Sequence, residues 1–148
     1  MQTHYFGEGF VEQDPDEICR NVLAAVKNCF DDLNTKGLRQ QDIAAIGISN
    51  QRETFVIRDA KGQPLHPAIV WQCKRSAAIS ADLTHAGHAP MIEQKTGLKA
   101  DPYFSATKLI WLQQNNPDVA TAIQNGKAFF GTIDTWLLFR FTKGRAYA

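Results

Sequence analysis

The chain has 148 residues, of which 44% are apolar and 21% charged, values typical of a single soluble globular domain. Its 16 Lys and Arg nearly balance 15 Asp and Glu, so the sequence offers no basic stripe for nucleic acid. No apolar run approaches the roughly 20 residues that cross a bilayer, and residues 1–9 lack the charged and apolar regions expected of a signal peptide. We therefore expect a cytoplasmic protein without membrane partners. The 3 Cys and 4 His lack metal-binding spacing, and we predict no metal site.

Apolar periodicity predicts the elements of the first half of the chain. Asp14 and Pro15 have the character of a helix start, and the apolar stripe that follows ends near Gly37. The run 43–49 is apolar without alternation, which is typical of a strand buried on both faces in a parallel sheet. Two shorter runs, 54–58 and 67–71, predict strands joined as a hairpin. The segment 2–11 is interrupted by glycines and predicts a strand or a loop.

The second half of the chain is predicted to be mostly helical. Helical patterns occur over 73–83, 90–96, 105–115 and 118–125, and Ser105 is the expected cap of the third. Phe129 and Phe130 predict a short buried strand, after which a helix begins at Thr132 or Asp134 and runs through Phe141. This mixture of elements predicts an α/β domain with a mixed sheet flanked by helices.

A polar sequence, Asn50-Gln51-Arg52-Glu53, follows the predicted strand 43–49. In open α/β sheets, ligands bind beyond the carboxyl ends of the strands. An Arg that only donates hydrogen bonds and a Glu that only accepts them can together orient a polyol, whose hydroxyls do both. An adjacent Arg and Glu are also the usual composition of a solvated turn. The spacing alone therefore does not distinguish a polyol-binding pair from such a turn.

Two aromatic residues are further candidates. Trp71 ends the strand predicted over 67–71 and can lay its face against the carbon atoms of a polyol, although a place at the edge of the core is the commoner role. Tyr103 lies in the restrained turn after Asp101-Pro102 and can offer its hydroxyl to a ligand, although a packed structural Tyr is again commoner.

Several sequence motifs are absent. The chain contains neither G-x-x-x-x-G-K-[ST] nor G-x-G-x-x-G, the glycine-rich loops that hold phosphates, which disfavours a P-loop or nicotinamide enzyme. It also contains no G-x-S-x-G elbow, which disfavours a serine hydrolase.

Several longer segments, occurring in one order, carry a family resemblance. They read V-E-Q-D-P from Val11, I-G-I-S-N-Q-R-E-T from Ile46, A-I-V-W-Q-C-K-R from Ala68, D-P-Y-F-S-A-T-K from Asp101 and F-G-T-I-D-T-W from Phe130. Over residues 10–145 the chain resembles the FGGY family of carbohydrate kinases. The segments N-Q-R-E-T and D-P-Y-F-S are most similar to the members that phosphorylate glycerol, rather than to xylulokinases.

The resemblance implies a fold, a reaction and a set of binding residues. The fold would be ribonuclease H-like and actin-related, in a homo-oligomeric enzyme that uses ATP and Mg²⁺ to phosphorylate glycerol. Arg52, Glu53 and Tyr103 would hydrogen-bond the glycerol hydroxyls, and Trp71 would pack on the glycerol carbons. These four residues are also the candidates that their chemistry and positions indicate.

The chain also departs from the family pattern. It lacks the D-x-G-T-[ST] turn that holds ATP phosphates and magnesium, and the G-D-Q segment whose Asp takes the proton of the attacking hydroxyl. Residues 1–148 are therefore expected to be part of an N-terminal domain without its first strands or phosphate turn, and without the C-terminal ATP-binding domain. No catalytic, cofactor-binding or metal-binding residue is expected in this chain, which should be inactive alone and either marginally stable or self-associating.

Two other interpretations stay open. In the first, the longer parent enzyme acts on a pentulose or another polyol, as a xylulokinase-like member of the same family would. Alternatively, the chain is a non-catalytic binding module or a remnant of such an enzyme.

Overall fold

The described part of the chain, residues 1–146 of a computed structural model, is built around one five-stranded sheet. The strands are β1 (Thr3–Phe6), β2 (Phe10–Gln13), β3 (Phe55–Arg58), β4 (Ala68–Ile69) and β5 (Phe129–Thr132). Their order in the sheet is β1-β2-β4-β3-β5, and each neighbouring pair is antiparallel. The hairpin predicted for 54–58 and 67–71 is confirmed as the β3–β4 pair, and segment 2–11 contains β1 and the start of β2.

Helices cover most of the rest of the described chain. They are α1 (Pro15–Thr35), α2 (Ala77–His85), α3 (Ala89–Thr96), α4 (Ser105–Asn115), α5 (Pro117–Gln124) and α6 (Ile133–Phe141). The predicted start of α1 is confirmed, because the Asp14 carboxylate accepts a hydrogen bond of 2.8 Å from the backbone N–H of Asp16. Gly37 follows the end of α1 with a positive φ of 76°. None of the helices within residues 1–146 is long and apolar enough to cross a membrane.

Two layers of apolar side chains cover opposite faces of the sheet. Phe55 and Ile57 of β3 pack in one cluster with Leu112 of α4. Val56, between them, packs in the other cluster with Trp136 of α6. Because successive residues of a strand point to opposite faces, the sheet lies between a layer containing α4 and α5 and a layer containing α1 and α6. The predicted α/β domain with helices flanking a sheet is confirmed.

The buried parallel strand predicted over 43–49 is wrong. This segment forms no strand, and Ile46 and Ile48 are 73% and 41% exposed. β3, the strand that follows, is paired with β4 on one side and β5 on the other, and the segment 43–49 pairs with neither of the edge strands, β1 and β5. Ile46 and Ile48 instead border a groove beside α1 and α6.

Two smaller predictions are also corrected. Phe129 and Phe130 form a strand but are 40% and 62% exposed, because β5 lies at the edge of the sheet. The helix expected from residue 73 begins only at Ala77, since the preceding residues form a turn in which Arg75 is buried. The Arg75 guanidinium lies 2.6 Å from the Glu12 carboxylate of β2, which joins this turn to the sheet.

Candidate functional site

Arg52 and Glu53 lie in the turn that leads into β3. Glu53 has a φ of 66°, in the left-handed region that non-glycine residues seldom adopt and that costs on the order of 1 kcal/mol or more. The next residue, Thr54, is fully buried, and its hydroxyl accepts a hydrogen bond of 3.1 Å from the backbone N–H of Trp71. The turn is thus fixed at its exit, and strain is stored at the residue predicted to bind ligand.

The entry of the same turn is fixed by two amide side chains. The Asn50 amide donates to the Asp134 carboxylate at the start of α6, at 3.2 Å, and the Gln51 amide donates to the Gln13 amide oxygen at 2.6 Å. The Thr132 hydroxyl also donates to Asp134, and this bond holds the pKa of that carboxyl below its usual range. A carboxylate that stays ionised is a stable acceptor for Asn50, so the position of the turn is tied to both β2 and α6.

The Glu53 carboxylate is held at the N-terminus of α4. Its Oε2 accepts from the Ser105 backbone N–H at 3.3 Å and lies 3.1 Å from the Ser105 hydroxyl. The predicted capping role of Ser105 is wrong: Ser105 is the first residue of α4, and its hydroxyl contacts Glu53 instead of capping the helix. An anion at a helix N-terminus is stabilised by the free N–H groups there, so the start of α4 helps to hold the Glu53 carboxylate in this position.

Trp71 and Tyr103 form one aromatic wall. Their ring centroids lie 5.8 Å apart at an angle of 59°, and Trp71 is 41% exposed. Tyr103 also contacts Phe104 edge to face at 5.1 Å, and it borders an open depression of about 480 Å³. The Trp71 ring is therefore not a core residue, and its free surface is available to a ligand.

The structure brings together three of the four predicted residues. Glu53, Trp71 and Tyr103 all contact, or directly precede, the first turn of α4. Arg52 is different, because it is exposed and takes part in no hydrogen bond or ion pair within residues 1–146. Its guanidinium is thus free to meet a ligand.

Sequence reasoning missed Lys108 of α4. This lysine is fully buried, and its Nζ donates to the backbone carbonyl oxygens of Trp71 at 3.1 Å and of Tyr103 at 2.8 Å. Burial lowers the pKa of Lys108 to about 8. A signal was present in the sequence, since Lys108 precedes the buried Leu112 by four residues and so occupies the core face of the helix.

The four predicted residues offer complementary chemistry. Glu53 supplies acceptors, Arg52 supplies donors, the Tyr103 hydroxyl does both, and Trp71 supplies an apolar face. Such a set suits a small molecule with several hydroxyl groups on a short carbon chain. Within residues 1–146 no group of three or more His, Cys, Asp or Glu side chains is arranged to hold a metal ion.

The fold and the clustered turns define an α/β domain with a candidate small-molecule site at the N-terminus of one helix. The model of the FGGY family of carbohydrate kinases, N-terminal domain, matches residues 1–147. The chain belongs to this family, which confirms the resemblance seen in its sequence segments.

Individual relatives agree with this family. The chain is 50% identical over 141 residues to a glycerol kinase of Symbiobacterium thermophilum, covering 95% of this chain and 28% of that protein. The crystal structure of Plasmodium falciparum glycerol kinase with ADP is similar with a TM-score of 0.89 and 38% identity, over 97% of this chain and 28% of that one. Gluconate kinase from Lactobacillus acidophilus is less similar, with a TM-score of 0.76 and 26% identity over 94% of this chain and 26% of that one. The chain thus spans little more than a quarter of the length of these proteins.

Proposed function

We propose that this chain is the substrate-recognition part of the N-terminal domain of a glycerol kinase. The longer enzyme would transfer the γ-phosphoryl group of ATP to glycerol, giving sn-glycerol 3-phosphate. The similarity to glycerol kinases over nearly the whole chain supports this substrate, since it exceeds the similarity to a gluconate kinase.

One observation carries the proposal: the Glu53 carboxylate is fixed before any ligand is bound. Its left-handed backbone and its contacts with Ser105 hold the carboxylate in one place. A group that is already oriented loses little conformational entropy when a ligand binds. A fixed acceptor, together with the donors of the exposed guanidinium on the neighbouring residue Arg52, suits a small triol, because each hydroxyl both donates and accepts.

The aromatic wall complements these polar groups. The exposed face of Trp71 would cover the glycerol carbons, and the Tyr103 hydroxyl would bind one further oxygen. Excluding water on this side strengthens the hydrogen bonds on the other, because charge interactions are stronger in a less polar environment.

The remaining parts of the reaction would come from outside these four residues. Phosphoryl transfer depends on cationic groups and Mg²⁺ around the phosphates and on a base for the attacking hydroxyl. We propose that the longer enzyme, a homo-oligomer, supplies the ATP and Mg²⁺ sites and this base. Residues 1–148 alone would then bind glycerol weakly and transfer no phosphate.

The proposal is tested by kinetics of the complete kinase with the substitution Glu53→Ala. Loss of a charged hydrogen-bonding group should lower kcat/KM for glycerol by roughly a hundredfold. Glu8→Ala is the matched control, because Glu8 is an exposed glutamate with the same left-handed backbone, φ 64°, in the turn between β1 and β2. It should leave kcat/KM unchanged.

Two outcomes would contradict the proposal. Near-normal kinetics of Glu53→Ala would remove Glu53 from the site. A substrate panel in which a pentulose or another polyol is phosphorylated with higher kcat/KM than glycerol would replace glycerol as the substrate.

A further inference from the structure

The first turn of α4 contacts all three of the turns that carry the proposed glycerol-binding residues. Ser105 binds the Glu53 carboxylate, and Lys108, one helical turn later, binds the backbone of Trp71 and of Tyr103. Residues three apart lie on the same face of a helix, so one face of α4 contacts all three turns.

The Lys108 contacts are well placed to fix the aromatic wall. The carbonyls of Trp71 and Tyr103 both lie in turns, outside the strands and helices. The Trp71 backbone is held twice, by Thr54 at its N–H and by Lys108 at its carbonyl. A single ammonium between two carbonyl oxygens therefore sets the distance between the two turns.

Burying a lysine at this position lowers the free energy of unfolding unless other interactions compensate for the lost hydration. An ammonium that is fully buried loses its water and must be compensated by hydrogen bonds from its three N–H groups. An apolar side chain of the same length would fill this part of the core without that cost. It would leave both carbonyls without their donor and the two turns without their link.

We propose that Lys108 is a positioning residue that sets the spacing of Trp71 and Tyr103 and so tunes glycerol affinity. The inference rests on the proposed function, because it assumes that these two aromatic residues border the glycerol site. Lys108 would act only through the two backbone carbonyls and would not touch glycerol.

The test compares Lys108→Met with Leu112→Ala in the complete kinase. Methionine keeps the length of the side chain and removes the donors. Leu112 is fully buried on the same face of α4, one turn further along, and belongs to the apolar core cluster on this side of the sheet. Leu112→Ala therefore removes core packing from α4 while the hydrogen-bond donors of Lys108 stay in place.

Lys108→Met should raise KM for glycerol about tenfold or more while kcat changes less than about threefold. Leu112→Ala should lower Tm and leave KM within about twofold of wild type. Lys108→Gln retains an amide donor for one carbonyl and should give an intermediate KM. It also provides the comparison if the methionine variant does not fold.

Three results overturn the inference. The first is a wild-type KM in folded Lys108→Met or Lys108→Gln protein, which leaves the proposed function intact. The second is an equal rise in KM in Leu112→Ala, which would show that any loss of core packing has this effect. The third is a wild-type kinase that does not phosphorylate glycerol, which would overturn the proposed function as well.

Discussion

Lys108 places a titratable group inside the apolar layer of the domain. Its pKa falls from 10.5 to about 8 in the folded state, chiefly because burial disfavours the charged form. The unfolded chain keeps the ordinary value, so between pH 8 and 10.5 the unfolded state binds more protons than the folded state. The contribution of Lys108 to the free energy of unfolding must then rise with pH between pH 8 and 10.5 and change little below pH 8.

The pH dependence can be measured by difference. Relative to Lys108→Met, the free energy of unfolding of the wild type should increase by up to about 3 kcal/mol between pH 8 and 10.5. Urea unfolding of both proteins at a series of pH values gives this difference, because the titration of all other groups is common to both. Parallel stability curves would show that Lys108 has an ordinary pKa and is not desolvated.

Glu53 and Lys108 also show what residue-level reasoning could and could not predict. A polar sequence after an apolar run predicts Arg52 and Glu53 as binding residues, yet that run forms no strand. The contacts that fix the turn join residues far apart in the chain, such as Asn50 and Asp134, which are 84 positions apart. Spacing within a short window contains no information about such pairs.

At the level of elements, the junction between β5 and α6 is closely packed. A Cβ atom at Gly131 would lie 2.7 Å from Cβ of Thr135 and would also meet its methyl group. Glycine is therefore required by space at this position, since its φ is not in the left-handed region.

Gly131→Ala should lower the free energy of unfolding by about 1–3 kcal/mol, because Thr135 must move to make room. The matched control is Gly47→Ala, since a Cβ atom at Gly47 would meet nothing within 4 Å. Chemical unfolding of the two variants checks this. Equal free energies of unfolding for the two variants would show that Thr135 can move at this junction with little loss of stability.

The termini of the elements were predictable where local chemistry decides them. Asp14, Pro15 and Gly37 predicted the bounds of α1 correctly. The start of α5 was predicted at Asp118, whereas the helix begins at Pro117 with Asn116 as its cap, which accepts from the Val119 backbone N–H at 3.1 Å. The failure at 43–49 has a different origin. An apolar run predicts burial, but whether it forms a strand depends on a partner with a free edge, and the sequence of the run does not contain that information.

For the whole molecule, the sheet and its two helical layers bring one face of α4 to the turns that carry the candidate residues. The family of the chain could be recognised from its segments, and the family match to residues 1–147 confirms it. The roles of Arg52, Glu53, Trp71 and Tyr103 stay predictions that depend on where a ligand binds. The chain spans about 28% of the glycerol kinase of Symbiobacterium thermophilum, so the complete enzyme is the right material for that question.

The most direct measurement is a crystal structure of the complete kinase with glycerol at a low millimolar concentration, cooled without any other polyol. We predict density for glycerol with its hydroxyls in hydrogen-bonding contact with the Glu53 carboxylate and the Arg52 guanidinium, and with its carbons against Trp71. Glycerol bound elsewhere, with Arg52 and Glu53 both facing solvent, would contradict the account.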